Sequence, residues 1–429
     1  MNEDFLHFIF QYKLWSNEDL YLTDGQKFEI INVGTHNFDS GPDFFNAKIK
    51  INDTVWAGNI EIHQKSSDWY NHKHHKDPAY DNVILHVVFL YDKPIFYKKG
   101  SSEVPTWEIK FDQALFNSYA KIKNKAEQIN CEKYINLVEK EKINLFFENL
   151  GVERLEYKLS EIKKILEKTN NDWEESFYIY LAHAFGFNIN SLPFEMTAYQ
   201  TPLNIVRKVA DDIYKLEALL FGQSGLFQIS VPDAYFMKLF KEYEFLRQKY
   251  EITPIDGSLW KKSKTRLANT PHVRIAQFAK ILTNFQGLFA AITESRLNEI
   301  KNFFMINPSN YWTTHYAFGK PNTKLFAKLG EMSYEIIVIN TIAPFLFSYF
   351  SIFNPEKCEE VYYVWLSKLK AENNTEIRTW EKAGIKPKTA YESQALLHLK
   401  KNYCDKTKCL DCNIGYEILN KINKIPLNE

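Results

Sequence analysis

Residues 41–65, GPDFFNAKIKINDTVWAGNIEIHQK, constrain the fold more tightly than any other stretch. Phe45, Ala47, Ile49 and Ile51 alternate along one arm, and Val55, Ala57, Asn59, Glu61, His63 and Lys65 along a second. A period of two is the strand signature, and Asn52-Asp53-Thr54 between the arms is a turn signal, so the stretch predicts a β-hairpin. With a three-residue turn Ile51 faces Val55, Phe45 faces Glu61 and Asp43 faces His63. Directly opposed residues share a face, with Cβ atoms roughly 5 Å apart. Asp43, Glu61 and His63 then gather at the open end of the hairpin. A two-residue turn would put Asp43 and Glu61 on opposite faces. Carboxylate oxygens suit Mg²⁺ or Mn²⁺, and an added imidazole tilts the site toward Mn²⁺ or Zn²⁺. Such an ion activates water and screens a phosphodiester. The alternative is a capped strand end, with Asp43 in a turn and Glu61 solvated.

The elements around the hairpin extend the pattern. Residues 3–15 carry apolar side chains near helical spacing, and 27–33 (KFEIINV) read as a strand. SSDWYNHKHH after the hairpin reads as a short helix capped by Ser66 or Ser67, and 83–91 (VILHVVFLY) as a central strand covered on both faces. One or two edge strands follow in 94–110, with Gly100-Ser101 as a turn. From about Asp112 the period is helical to the end. The expected organisation is α+β: a small mixed-sheet domain over 1–110, then a large all-helical domain over 111–429.

Pro42-Asp43 followed by Glu61-x-His63 on the next strand, in the order α-β-β-β-α-β, resembles the PD-(D/E)XK nuclease superfamily. The resemblance implies that Asp43 and Glu61 bind Mg²⁺ or Mn²⁺ and that the lysine slot is taken by His63. Lys65, one pleat further on, could supply the ammonium instead. His72 and His75, three residues apart on the expected helix, are candidate substrate contacts beside the hairpin, or a polar surface turn. His86, inside an apolar strand, reads as a satisfied core histidine.

Two further clusters carry chemistry. Arg266 and Arg274 flank Asn-Thr-Pro-His272 before a helix, and a helix N-terminus with arginines suits phosphate; the alternative is neutralisation of buried carboxylates. Cys404, Cys409 and Cys412 place three thiols within nine residues, compact enough to reach one ion. Cys131, Cys358 or His398 could complete the set, and Cys131, just after the first domain, is the choice because it would staple the domains together. A remote cysteine with a C-terminal trio resembles the iron–sulfur site of some PD-(D/E)XK nucleases, so Zn²⁺ or a 4Fe–4S cluster is expected.

Composition bounds the function. The chain has 429 residues with 53 basic and 53 acidic side chains, so any nucleic-acid contact must use a local basic groove. The N-terminus lacks a basic region and cleavage site, and five cysteines without a secretion signal point to a reducing cytoplasm. The apolar run 336–350, broken by Asn340, Thr341 and Pro344, reads as a buried helix too short for a bilayer, so no membrane is expected. GPDFFNAKI, GNIEIH, SDWYNH, LLFGQSGLF and CLDCNIG, among other phrases, resemble an uncharacterised bacterial family of about this length, which implies a recurrent architecture and no activity. The expected function is a metal-dependent phosphodiesterase acting on nucleic acid, with His63 or Lys65 orienting or deprotonating water. The alternatives are a non-catalytic nucleic-acid or protein-binding module and a hydrolase of a small phosphate compound.

Overall fold

The computed structural model describes the chain except residues 1, 17–18, 38, 98–100, 124–127, 228–232, 262–268, 295, 323–327, 359–363 and 423–429. The fold is α+β, with one sheet near the N-terminus and helices dominating the rest. A first helix, α1 (Glu3–Gln11), precedes strands β1 (Leu20–Tyr21), β2 (Lys27–Asn32), β3 (Thr35–His36), β4 (Phe44–Ile51) and β5 (Thr54–Lys65). A short helix α2 (Asp68–Asn71) and two 3-10 turns lead to β6 (Val83–Leu90) and β7 (Thr106–Glu108). The sheet runs β1-β2-β4-β5-β6-β7, with β3 paired to β4. Strands β2, β4 and β5 form an antiparallel meander, whereas β6 lies parallel to β5, and β7 parallel to β6. A parallel neighbour requires a crossover, which α2 and the two turns supply. The first six residues of β6 are buried, as a strand covered on both faces demands. Gly100 of the expected 100–101 turn lies outside the described residues.

The hairpin register differs from the three-residue expectation. Ile51 stands opposite Thr54 and Lys50 opposite Val55, so the turn is Asn52-Asp53, with Asn52 at φ 50°. Alone, this register would send Asp43 and Glu61 to opposite faces. A β-bulge reverses the outcome. Ala47 is opposite Gly58 but Phe44 is opposite Ile60, a slip of one residue centred on Asn46, whose φ is 56°. The extra residue restores parity and leaves Asp43 across from Glu61.

The chain divides into two compact units: residues 1–146, 379–385 and 399–429 form the first, and 147–378 with 386–398 the second. The boundary expected at 110 falls inside the first unit. That unit adds α3 (Gln113–Lys123), a 3-10 helix (Glu132–Leu137) and a C-terminal helix (Asn413–Ile422), which packs on both. Tyr416 of that last helix lies against Tyr12 with ring centroids 4.3 Å apart, and Lys142 pairs with Glu417 at 2.7 Å.

The second unit is built of helices around one apolar core, including Phe177, Leu219, Phe278 and Leu346. Asp172 caps a helix over Trp173–Phe185, accepting from the backbone N–H of Glu174 and Glu175 at 2.9 Å. The unit is not wholly helical, because His315–Ala317 and Lys320–Pro321 form a small antiparallel ladder. The apolar run 336–350 belongs to a longer helix than its sequence breaks suggest. Glu331–Phe353 is continuous over 23 residues, long and apolar enough to cross a membrane by length and composition, with 61% of its most apolar window buried. A π turn at Val338–Ile342 precedes Pro344, so the helix absorbs the proline instead of ending at it.

Candidate metal centre

The ends of β4 and β5 are tied together through their carboxylates. The Asp43 N–H donates to Glu61 Oε2 at 3.2 Å, and the Ile62 N–H donates to Asp43 Oδ2 at 2.8 Å. Two residues along β5, His63 Nδ1 lies 2.8 Å from Nε2 of His86 on β6. After α2 the chain reverses at Lys73, which takes a left-handed conformation at φ 66°. That reversal aims His74 inward beside His72. His72 Nδ1 lies 3.0 Å, and His74 Nε2 3.3 Å, from His63 Nε2. Glu61 Oε1 lies 3.1 Å from His74 Nε2 and 3.4 Å from His63 Nε2. Tyr80 stacks on the far face of His74 with ring centroids 3.8 Å apart.

The separations among Glu61 Oε1, His63 Nε2 and His74 Nε2, 3.1–3.4 Å, are those of donors around one ion. Three imidazole nitrogens, from His63, His72 and His74, fall within 4.8 Å of one another. Four tetrahedral donors at the Zn–N distance of about 2.0–2.1 Å stand about 3.3 Å apart. A proton on His63 Nδ1, donated to His86 Nε2, leaves the His63 Nε2 lone pair facing the other donors. His86 is not the satisfied core residue expected, since its Nδ1 is buried without a hydrogen-bond partner among the described residues, and its Nε2 is the group that would set the tautomer of His63.

Burial governs the electrostatics. Glu61 and His63 are nearly inaccessible, His74 is buried, and His72 is exposed at the solvent side. Burial, with the charge of Asp43 added, pushes the Glu61 carboxyl up to about 9. Burial and the neighbouring imidazoles hold His63 far below the ordinary histidine range, and burial lowers His74. His86 is pulled down to about 3 by burial and by His74. Without an ion the cluster is thus a protonated Glu61 carboxyl beside the neutral imidazoles of His63, His74 and His86. Beside it, His7 Nε2 from α1 lies 3.3 Å from Asp43 Oδ2. Burial lowers His7, but Asp43 outweighs it and raises the imidazole above its ordinary value.

The structure brings together Asp43, Glu61, His63 and His72 of the expected site, and adds His74, His86 and His7. It does not bring His75, whose ring meets Tyr70 edge-on at 5.1 Å. Lys65 stands exposed at the end of β5 and makes no ion pair among the described residues. Arg266 lies outside the described residues, and Arg274 is buried in the second unit. The expected helix through His72 and His75 ends at Asn71, with His72 as its C-cap. A lysine at positive φ carries no compositional signal, so the reversal that selects His74 over His75 was hidden.

The cysteines converge as well, within the first unit. Cys131 starts the 3-10 helix, Cys404 ends a π turn, and Cys409 and Cys412 precede the C-terminal helix. Each of the four thiols interacts electrostatically with the other three. Burial raises all four thiols, Cys412 to about 12, while the N–H groups of Ile414 and Gly415 pull against that rise. A Cβ at position 415 would come within 2.0 Å of the Cys409 carbonyl oxygen, so Gly415 permits the close return of the chain. Cys358 and His398 belong to the second unit, where Cys358 Sγ meets the Phe347 carbonyl at 3.6 Å and His398 meets Glu153 at 3.0 Å. Cys131 therefore joins the first unit's own segments and is not a staple between domains split at 110.

No curated protein and no solved structure matches the chain. A family model described as "Protein of unknown function (DUF2851)" matches residues 3–375, and the chain belongs to that family.

Proposed function

We propose that the first unit is a metal-dependent phosphodiesterase acting on nucleic acid. One observation carries this reading: Glu61 Oε1, His63 Nε2 and His74 Nε2 are spaced at 3.1–3.4 Å like the ligands of one ion, with His72 Nδ1 3.0 Å from His63 Nε2 and a second carboxylate, Asp43, beside them. The meander of β2, β4 and β5, with β6 added in parallel after α2, supports a PD-(D/E)XK-like core. Three imidazoles to one carboxylate favour Mn²⁺, Fe²⁺ or Zn²⁺ over Mg²⁺. A bound ion would polarise a phosphoryl oxygen and acidify water.

The chain's own groups divide the remaining work. His63 has both ring nitrogens engaged, so it fits a ligand and not a base. His7, held by Asp43 and placed beside the carboxylates, fits the role of moving the proton of the attacking water. His72 forms the open side through which an ester would enter. The four cysteines fit a structural Zn²⁺ or a 4Fe–4S cluster that fastens the C-terminal segment to residues 131–137.

The low exposure of Glu61, His63 and His74 favours a second reading, a hydrolase of a small phosphate compound. One assay tests both: duplex and single-stranded DNA, RNA and bis-p-nitrophenyl phosphate offered with Mn²⁺, Zn²⁺ or Mg²⁺. Cleavage of nucleic acid that is lost in Asp43→Ala, Glu61→Ala and His74→Ala supports the first reading. Hydrolysis of the small ester alone supports the second. No hydrolysis by folded protein in any metal would refute both.

A further inference from the structure

The helical unit holds a buried cation without a carboxylate partner among the described residues. Arg274, in the first turns of the helix Pro271–Leu282, is only 5% exposed. Its guanidinium donates to neutral oxygens alone: Gln277 Oε1 at 2.9 Å, Asn269 Oδ1 at 2.8 Å and Ser333 Oγ at 3.2 Å. No carboxylate pairs with it among the described residues, and its Nε is buried with no hydrogen-bond partner. The guanidinium also lies over the Phe187 ring, 4.1 Å from its centroid. A buried charge without a counter-ion is costly to the fold. Burial alone pulls its pKa down to about 10, so it remains charged at neutral pH.

This cation opens into a cavity of about 310 Å³, a volume at the lower end of small-molecule sites. Phe185, Phe187, Phe194 and Ile336 line it, and among the described residues of the lining Arg274 alone is charged. One positive charge in an apolar chamber suits one negative charge on an apolar body. Among the described residues a phosphate dianion would find no second cation there.

We propose that this cavity binds a small apolar carboxylic acid, aromatic or medium-chain, with its carboxylate on the Arg274 guanidinium. The interaction supplies the counter-ion that the guanidinium lacks among the described residues. It is independent of the metal centre.

The test is calorimetric titration of the full chain with phenylacetate and octanoate, with benzyl alcohol and inorganic phosphate as controls. At least one acid binds saturably at one per chain, and both controls bind at least about tenfold more weakly. Arg274→Met abolishes the charge and lowers affinity at least about tenfold. Met332→Trp, at a 63% exposed position on the rim, blocks entry without disturbing the core, so the proposal stays testable if the arginine variant fails to fold. The proposal is overturned if neither acid binds, if phosphate binds as tightly, or if binding survives both substitutions.

Discussion

At the residue scale, the metal centre rests on imidazoles that differ sharply in what they touch. His74 contacts both Glu61 and His63, whereas His75 contacts Tyr70. His74→Ala should lower Mn²⁺ affinity at least about tenfold, and His75→Ala should leave it within about twofold, by titration against a chelating dye. His86→Phe, which removes the partner of His63 Nδ1, should cost about 10–100-fold in affinity without removing a ligand. In the second unit, Glu217 is fully buried, with Oε2 accepting from Tyr235 Oη at 2.5 Å and Trp312 Nε1 at 2.9 Å, and Ser309 also acting on the carboxyl. Burial raises its pKa above the ordinary 4.5 despite those bonds. The folded chain thus keeps a proton that the unfolded chain releases, and stability falls as pH rises from 4.5 toward the raised value. Urea unfolding at about pH 5 and about pH 8 should show a smaller loss in Glu217→Gln, which cannot ionise, than in the parent chain.

At the element scale, the hairpin shows how much was legible and why the rest was not. Alternation of Ala47, Ile49 and Ile51 and the continuous apolar run of β6 were visible, because burial imposes the period directly. The register was not. A two-residue turn and a bulge at Asn46 each slip the register by one residue and so flip parity twice, and neither leaves a mark in the hydrophobic pattern strong enough to read. Asp43 and Glu61 met as expected, by a different route. The short helix after β5 was read through His75 because its polar sequence has no proline or glycine to stop it; it ends at Asn71, and the chain reverses at Lys73, whose φ is 66°. Glycine tolerates that conformation and proline cannot adopt it. Lys73→Gly should therefore retain metal affinity, while Lys73→Pro should lose the His74 contribution, about tenfold, with the far-ultraviolet circular dichroism of both variants unchanged.

At the scale of the whole molecule, the units are not consecutive in sequence, because residues 379–385 and 399–429 join the first. That return was only partly legible: Cys131 was chosen for its place after the expected first domain, but composition gave no sign that the C-terminal helix would pack on α3. If the four thiols hold a metal, Cys131→Ser should lower the stoichiometric iron or zinc content and the thermal midpoint together, measured by elemental analysis and calorimetry. The account's central claim concerns the other centre, the convergence of Glu61, His63, His72 and His74 on one ion. Mn²⁺ discriminates between the two, because thiolates select softer metals. The most direct measurement is electron paramagnetic resonance of the full chain titrated with Mn²⁺, with spin-echo detection of nitrogen-14 coupling. The account predicts one Mn²⁺ per chain with imidazole nitrogen coupling, both lost in Glu61→Ala and His74→Ala. Stoichiometric binding that persists in those variants, or no bound Mn²⁺ in the folded parent chain, would contradict it.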